Sequence, residues 1–334
     1  MIRHMESTQS PKFFRCGLRT AAASMMLLLC SITFAQTYPT KPVRMVIGYP
    51  PGGASDIVGR VLAGKIQESL GQSVIVENRP GTNANIGAEY VAKSPADGYT
   101  LGFGGGGPLT ANGFLYKKLN YNPAKDFVMV ATVAKAPLVL AVNPSVGATT
   151  LRDLVALFKS KPGAYSYGTP GGGSPQHLTT AMFMSMTGTQ LVHIPYKGAT
   201  PMLNDLVGGQ VHIGFDNLGM LPYVKSGRLL ALGVAQGSRS SIFPDVPTFA
   251  EAGVPGIESF TWYGVFAPIG TPAPVVERIS AEVRKAVELP EVQKRLADLG
   301  AEPMPGTSEQ MKAFVEAETA KWGKVIREFS VGLD

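Results

Sequence analysis

From residue 43 to residue 104 the chain repeats one pattern: a short apolar run, a break rich in glycine or proline, then apolar residues at helical spacing. Val43–Ile47 is apolar and is followed by "GYPPGGASD". After it Val58, Val61, Leu62, Ile66 and Leu70 fall on one helix face, which Gly71 closes. "VIVEN" (residues 74–78) and "YTLGFG" (residues 99–104) read as the next two strands. Strands alternating with helices build a parallel sheet covered by helices. This order constrains the fold more than any other feature of the chain.

A second set begins near residue 140. Thr150 caps an expected helix carrying Leu151, Leu154, Val155 and Phe158, with Asp153 in capping-box position. "YSYGT", "LVHIPY", "VHIGFD" and "LLALGVA" read as strands, with helices in "SPQHLTTAMFMSM" and over residues 201–207. Two long β-rich passages, residues 127–142 and 260–270, lie at the ends of this set and read as crossings between two domains. The last third is helical. Thr271 and Pro272 start one helix, Pro290 opens the next, and Thr307 with Gln310 caps the last. The expected product is an α/β molecule of two lobes joined by two strands, with a cleft between. Residues 36–136 and 266–334 form the first lobe and residues 137–265 the second.

The first 35 residues read as a secretory signal peptide. Arg3, Lys12, Arg15 and Arg19 make a basic start, and the fifteen residues from Ala21 to Ala35 carry no charge. Both cysteines, Cys16 and Cys30, lie inside it, so the mature chain has neither thiol chemistry nor disulfides. Removing four basic residues and one acid from 30 and 24 leaves 26 against 23. That small excess argues against nucleic acid as a partner and is compatible with collecting small anions. No later segment is apolar for long enough to cross a membrane.

Three glycine-rich corners follow strands: "PPGGASD" at residues 50–56, "GFGGGGP" at 102–108 and "YGTPGGGSPQH" at 167–177. The N–H groups of a helix's first turn have no partner inside the helix and lie at the positive end of its dipole, so such corners suit an anion. Glycines after a strand also serve plain turns, and Ser174 also reads as an N-cap. Gly102, Gly104 and Gly107 satisfy G-x-G-x-x-G, but not after the first strand, and an exported protein rarely meets NAD. Catalytic and metal-binding patterns are missing: no G-x-S-x-G occurs, and no histidine–carboxylate cluster has ligand spacing. His193 and His212 sit in apolar strand patterns and read as structural. Asp56 reads as a first-turn residue bonding backbone N–H groups. "HIPYKG" puts Tyr196 and Lys197 at the end of a strand, and "FDN" brings Asp216 to the end of another.

Seven segments together resemble the Bug family, the periplasmic solute-binding receptors of tripartite tricarboxylate transporters. They are "YPTKPVRMVIGYPPGGASD", "SVIVENRPG", "DGYTL", "YGTPGGGSPQHL", "HIPYKGATP", "FPDVPTFAEAGVPG" and "APIGTPAPVV". The resemblance covers the mature chain in the right order. It implies a periplasmic-binding-protein-like fold of two Rossmann-like domains that closes on a small organic acid: a di- or tricarboxylate, an acidic amino acid or an aromatic carboxylate. It implies no cofactor and no catalysis, membrane components of the transporter as partners, and a monomer. A receptor feeding a sensor is the alternative, and an exported enzyme a more distant one. Carried onto this sequence, the ligand residues are Gly52, Gly53, Ala54, Ser55 and Asp56 of the first corner. From the third corner come Thr169, Gly171, Gly173, Ser174 and His177, joined by Tyr196, Lys197 and Asp216. Two departures stand out. Gly48 and Tyr49 replace a phenylalanine–proline type pair, which makes Tyr49 a candidate for setting specificity. The tetraglycine run around Gly105 replaces more polar residues and is expected to leave room for a ring.

Overall fold

The computed structural model describes residue 1, residues 38–240, residues 242–328 and residue 331. Apart from Met1, the expected signal peptide and both cysteines lie outside the described residues. The first half-set comprises β1 (Val43–Ile47), α1 (Ala54–Leu70), β2 (Val74–Asn78), α2 (Asn85–Ala92) and β3 (Thr100–Gly104). A single π-helical turn (Gly107–Ala111) and α3 (Asn112–Leu115) lead to the long β4 (Phe127–Pro137). The second set runs β5 (Val139–Val142), α4 (Leu151–Ser160), β6 (Ser166–Thr169), α5 (Pro175–Thr187) and β7 (Val192–Pro195). It continues with α6 (Ala199–Val207), β8 (Ile213–Asp216), α7 (Leu221–Lys225) and β9 (Leu230–Val234). The chain ends with β10 (Phe260–Pro268), α8 (Ala273–Glu288), α9 (Pro290–Asp298), β11 (Glu302–Gly306) and α10 (Ser308–Glu328).

The strands form two sheets, in the orders β11-β4-β10-β3-β1-β2 and β7-β6-β8-β5-β9. Each has a parallel trio, β2-β1-β3 in one and β7-β6-β8 in the other, extended by antiparallel strands. The carboxyl ends of each trio therefore lie on one side, which is where the glycine corners emerge. Helix α1 buries Val58, Leu62 and Ile66 on the first sheet, each worth about 1.5–3 kcal/mol. Gly59 lets it approach: a Cβ there would lie 2.6 Å from Ile47 Cδ1.

Sheet membership changes between β4 and β5 at Leu138, and again at Ser259. Leu138 donates to the Ser259 carbonyl (3.1 Å), its own carbonyl accepts from Ala235 (2.8 Å), and Ser259 donates to the Ala235 carbonyl (2.8 Å). The two crossings are thus hydrogen-bonded side by side. The β10 strand, expected to divide between lobes at residues 265/266, pairs with β4 from Phe260 onward and belongs wholly to the first sheet.

Local capping follows the sequence. The Thr150 hydroxyl accepts from the Asp153 N–H (3.1 Å) and donates to its carboxylate (2.6 Å). At Thr307 the backbone N–H donates to Gln310 Oε1 (2.8 Å), and the Gln310 N–H donates to the Thr307 hydroxyl (3.2 Å). Gly71 ends α1 in the left-handed region at φ 65. Helix α10 then packs Met311 and Val315 with Trp262 and Phe266 of β10, and further along places Trp322, Val325 and Ile326 in one cluster with Leu115 and Leu178.

Candidate functional site

At the end of β1 the first corner turns through Gly52 (φ 79) into α1. The N-cap is Gly53, and no side chain caps this helix. The N–H groups of Ala54 and Ser55 therefore lack a partner within the helix. Asp56, only 3% exposed, takes the Gly52 N–H (2.9 Å), Arg60 Nε (3.0 Å) and Asn78 Nδ2 (2.9 Å). Burial pushes its carboxyl pKa up, but the bonds from Arg60, Gly52 and Asn78 outweigh burial and hold it below the usual range. Asp56 thus secures the corner, and the Gly52 N–H is already taken. Tyr49 is half-buried and its hydroxyl has no hydrogen-bond partner among the described residues. Burial and the neighbouring Tyr116 push its pKa up to about 12.

Gly48 is explained by packing, since a Cβ there would fall 2.5 Å from that of Ala84. Ala84 closes a run that the sequence reading missed. Thr82, Asn83 and Ala84 all have positive φ (47, 50 and 69), a conformation that non-glycine residues hold only when the surroundings enforce it. The enforcement is an amide network. Asn83 Nδ2 donates to Asn112 Oδ1 (2.8 Å), and Asn112 Nδ2 donates to the Asn83 carbonyl (3.0 Å) and to Asn85 Oδ1 (2.5 Å). Tyr121 adds a bond to Asn85 Oδ1 (2.8 Å). The second proton of Asn83 Nδ2 crosses to the other lobe and reaches the Gly173 carbonyl (3.1 Å). The two asparagines in "TNAN" after a Pro-Gly pair were the available signal.

The second corner differs from expectation. A Cβ at Gly105 would lie 2.2 Å from the Trp262 carbonyl oxygen, and one at Gly107 2.9 Å from Asn83 Nδ2. Those glycines admit protein, not ligand. Within the run only Gly104 faces open space, and a Cβ on Gly106 would be in ordinary contact with Pro175 and Trp262, 3.7 Å from each.

In the third corner Thr169, Ser174 and His177 are buried. Ser174 Oγ caps α5 by accepting the His177 N–H (3.3 Å), as expected. The Gly173 N–H donates to His177 Nδ1 (3.0 Å), and the Ser174 N–H, expected to face a ligand, donates to the Gly171 carbonyl (3.3 Å). Pro175 has no N–H. The donors left here are the N–H groups of Gly171 and Gly172, fewer than the sequence suggested. Behind them the rings of His177 and His193 stack 4.1 Å apart, with Tyr167 4.8 Å from His193. His193 Nε2 also bonds Thr169 Oγ1 (2.7 Å). Burial pushes both imidazoles down to about 4, with His193 adding to the shift of His177. His212 Nδ1 accepts from the Ser166 N–H (2.9 Å).

Tyr196 follows β7 beside Thr169, but its hydroxyl donates to Asp205 (2.7 Å), and Lys197 is exposed. Asp216 ends β8, 3% exposed, at 3.4 Å from Gln176 Nε2. Burial, offset in part by bonds from the Asn217 backbone and Gln176, pushes it up to about 6. Burial first, and then the charges of Asp216 and Tyr49, push the Tyr263 hydroxyl of β10 up. A surface concavity of about 540 Å³ around Met184, Gly188, Leu191 and Glu328 shares no residue with the corners.

The glycine corners lie at strand ends in both lobes, and the Asn83 amide ties the first lobe to the corner of the second. Residues 58–331 match the tripartite tricarboxylate transporter family receptor, TctC. The chain belongs to this receptor family. As a TctC receptor it is a solute-binding protein and not an enzyme. Among TctC relatives, Protein BugT of Bordetella pertussis (strain Tohama I) is 38% identical over 296 residues, 88% of this chain and 91% of that protein. A solved structure of R. palustris Rpa4515 with adipate is 38% identical with a TM-score of 0.84, covering 89% of this chain and 100% of that one. MatC (Rpa3494) from Rhodopseudomonas palustris with bound malate is 31% identical with a TM-score of 0.81, covering 86% and 100%. The α/β receptor fold expected from the TctC-type motifs is the fold observed.

Proposed function

We propose that this receptor captures a small organic carboxylate in the periplasm, between its two lobes, and hands it to the membrane components of a tripartite tricarboxylate transporter. The observation that carries the reading is the uncapped first turn of α1, where the N–H groups of Ala54 and Ser55 have no partner within the helix. A carboxylate there gains about 0.3–2 kcal/mol from the helix dipole and roughly 1.5–3 kcal/mol per hydrogen bond to the charged acceptor. Gly171 and Gly172 supply further donors from the second lobe. Such a set reaches micromolar affinity without an arginine. The adipate and malate held by two relatives support this ligand class. The basic, apolar leader ending at Ala35 is cleaved on export, and the receptor acts as a monomer.

Calorimetry with adipate and malate, each against its dimethyl ester, tests the reading. The acids bind and the esters do not. Equal affinity for acid and ester overturns the helix-start account.

A further inference from the structure

The indole of Trp262 is 1% exposed, and its Nε1–H has no hydrogen-bond partner among the described residues. Buried donors are rarely left unmet, because the desolvation cost is not recovered. The rest of the ring is tightly held. Phe314 packs edge-on at 5.0 Å, and Gly105 lies so close that a Cβ there would sit 2.7 Å from the ring. A Cβ on Gly106 would lie 3.7 Å from Nε1 and 3.7 Å from Pro175 Cγ. Gly106 belongs to the first lobe's second corner, and Pro175 opens α5 at the second lobe's third corner. The unmet donor therefore lies close to where the two lobes' corners approach each other. Carbonyls nearby are engaged: that of Gly106 accepts from Thr110 Oγ1, that of Gly105 from the Leu109 N–H (3.4 Å), and that of Gly173 from Asn83.

We propose that the Trp262 indole N–H is a ligand-binding donor, taking an oxygen acceptor of the bound acid that enters over the bare Cα of Gly106. This assignment rests on the carboxylate reading and adds a contact from β10 of the first sheet. It also gives the glycine at position 106 a role: a methyl there would sit at ordinary contact distance from Nε1 and Pro175, in the place of the acceptor.

The chain has two tryptophans. Trp322 Nε1 already donates to Glu318 (2.9 Å) and serves as an internal control. ¹H–¹⁵N spectra of the labelled protein are recorded while adipate, then malate, is added, with the two indole signals assigned through Trp322→Phe. The Trp262 signal moves downfield in proton shift as its hydrogen bond forms, and the Trp322 signal stays. Gly106→Ala, which folds as the parent does, and Trp262→Phe each weaken binding about tenfold, the equivalent of one hydrogen bond at ~1.4 kcal/mol. Binding with an unmoved Trp262 signal overturns this assignment alone. If neither acid binds, the carboxylate reading falls and the assignment with it.

Discussion

The side-chain amide of Asn83 donates to the carbonyl of Gly173 at 3.1 Å, a bond between residues 90 positions apart that links one lobe to the other lobe's glycine corner. The same nitrogen bonds Asn112, so both of its protons are used. Asn83→Gly keeps the left-handed backbone without strain and removes only the amide. The lost bonds, at roughly 0.5–1.5 kcal/mol each, favour the open lobes. We expect a five- to tenfold weaker affinity for the bound acid by calorimetry and a larger radius of gyration in X-ray scattering with ligand present. A variant that binds and closes like the parent sinks this role.

The start of α1 permits a sharper test of backbone recognition than the start of α5, whose Ser174 N–H is occupied. Ala54 is the first helical residue, and Gly53 before it is extended (φ −79, ψ 167). Both conformations accept proline at position 54. Ala54→Pro deletes one N–H and leaves the fold intact. Its melting temperature stays near that of the parent, while carboxylate affinity falls about tenfold or more. Ala54→Ser, which keeps the N–H, binds normally. Identical affinities for the two variants count against the α1 site.

Tyr49 stands beside that helix start, half-buried, with a hydroxyl that no described residue bonds. Its ring forms a wall for the part of the ligand beyond the carboxylate. Tyr49→Ala is expected to re-rank a panel of aliphatic and aromatic acids with only a small change in melting temperature. Tyr49→Phe isolates the hydroxyl. A drop of several degrees with the ranking unchanged marks a core residue instead, as the loss of ~3–5 kcal/mol from a buried aromatic implies.

The stacked pair His177 and His193 makes stability fall in acid. Both have pKa values near 4 when folded, below the ordinary 6.5, so the unfolded chain binds more protons between those values. Their contribution is full above pH 6.5 and is lost as pH falls towards 4, on the order of 3 kcal/mol for the buried His177. Asp216 acts in the opposite sense. Its pKa is raised to about 6, so its burial cost fades as pH falls through 6 towards 3.8. In His177→Asn, where Oδ1 replaces Nδ1 as acceptor for the Gly173 N–H, melting temperature varies less between pH 6.5 and 4. In Asp216→Asn the same profile is steeper. A His177→Asn profile that parallels the parent rules out the histidine as the titrating group.

Elements whose signals are local were readable in the amino-acid order. Residues 43–47, 74–78 and 166–169 are strands, Gly71 ends a helix, and Thr150, Ser174 and Thr307 cap others, because period and cap are set within a few residues. Strand β11 was not readable. Its sequence, "EPMPG", holds two prolines and has no alternation, and it survives as a strand only at the sheet edge against β4. The corners were found, but not which of their donors remain open, since His177, Asp56 and Gly171 claim theirs through local folding. The Asn83 bond to Gly173 and the packing of Trp262 against Gly105 and Phe314 join residues far apart in the chain, and no local pattern encodes such a meeting. Tertiary packing alone decides that Gly105 lies against the Trp262 indole with no room for a Cβ while Gly106 has room for one.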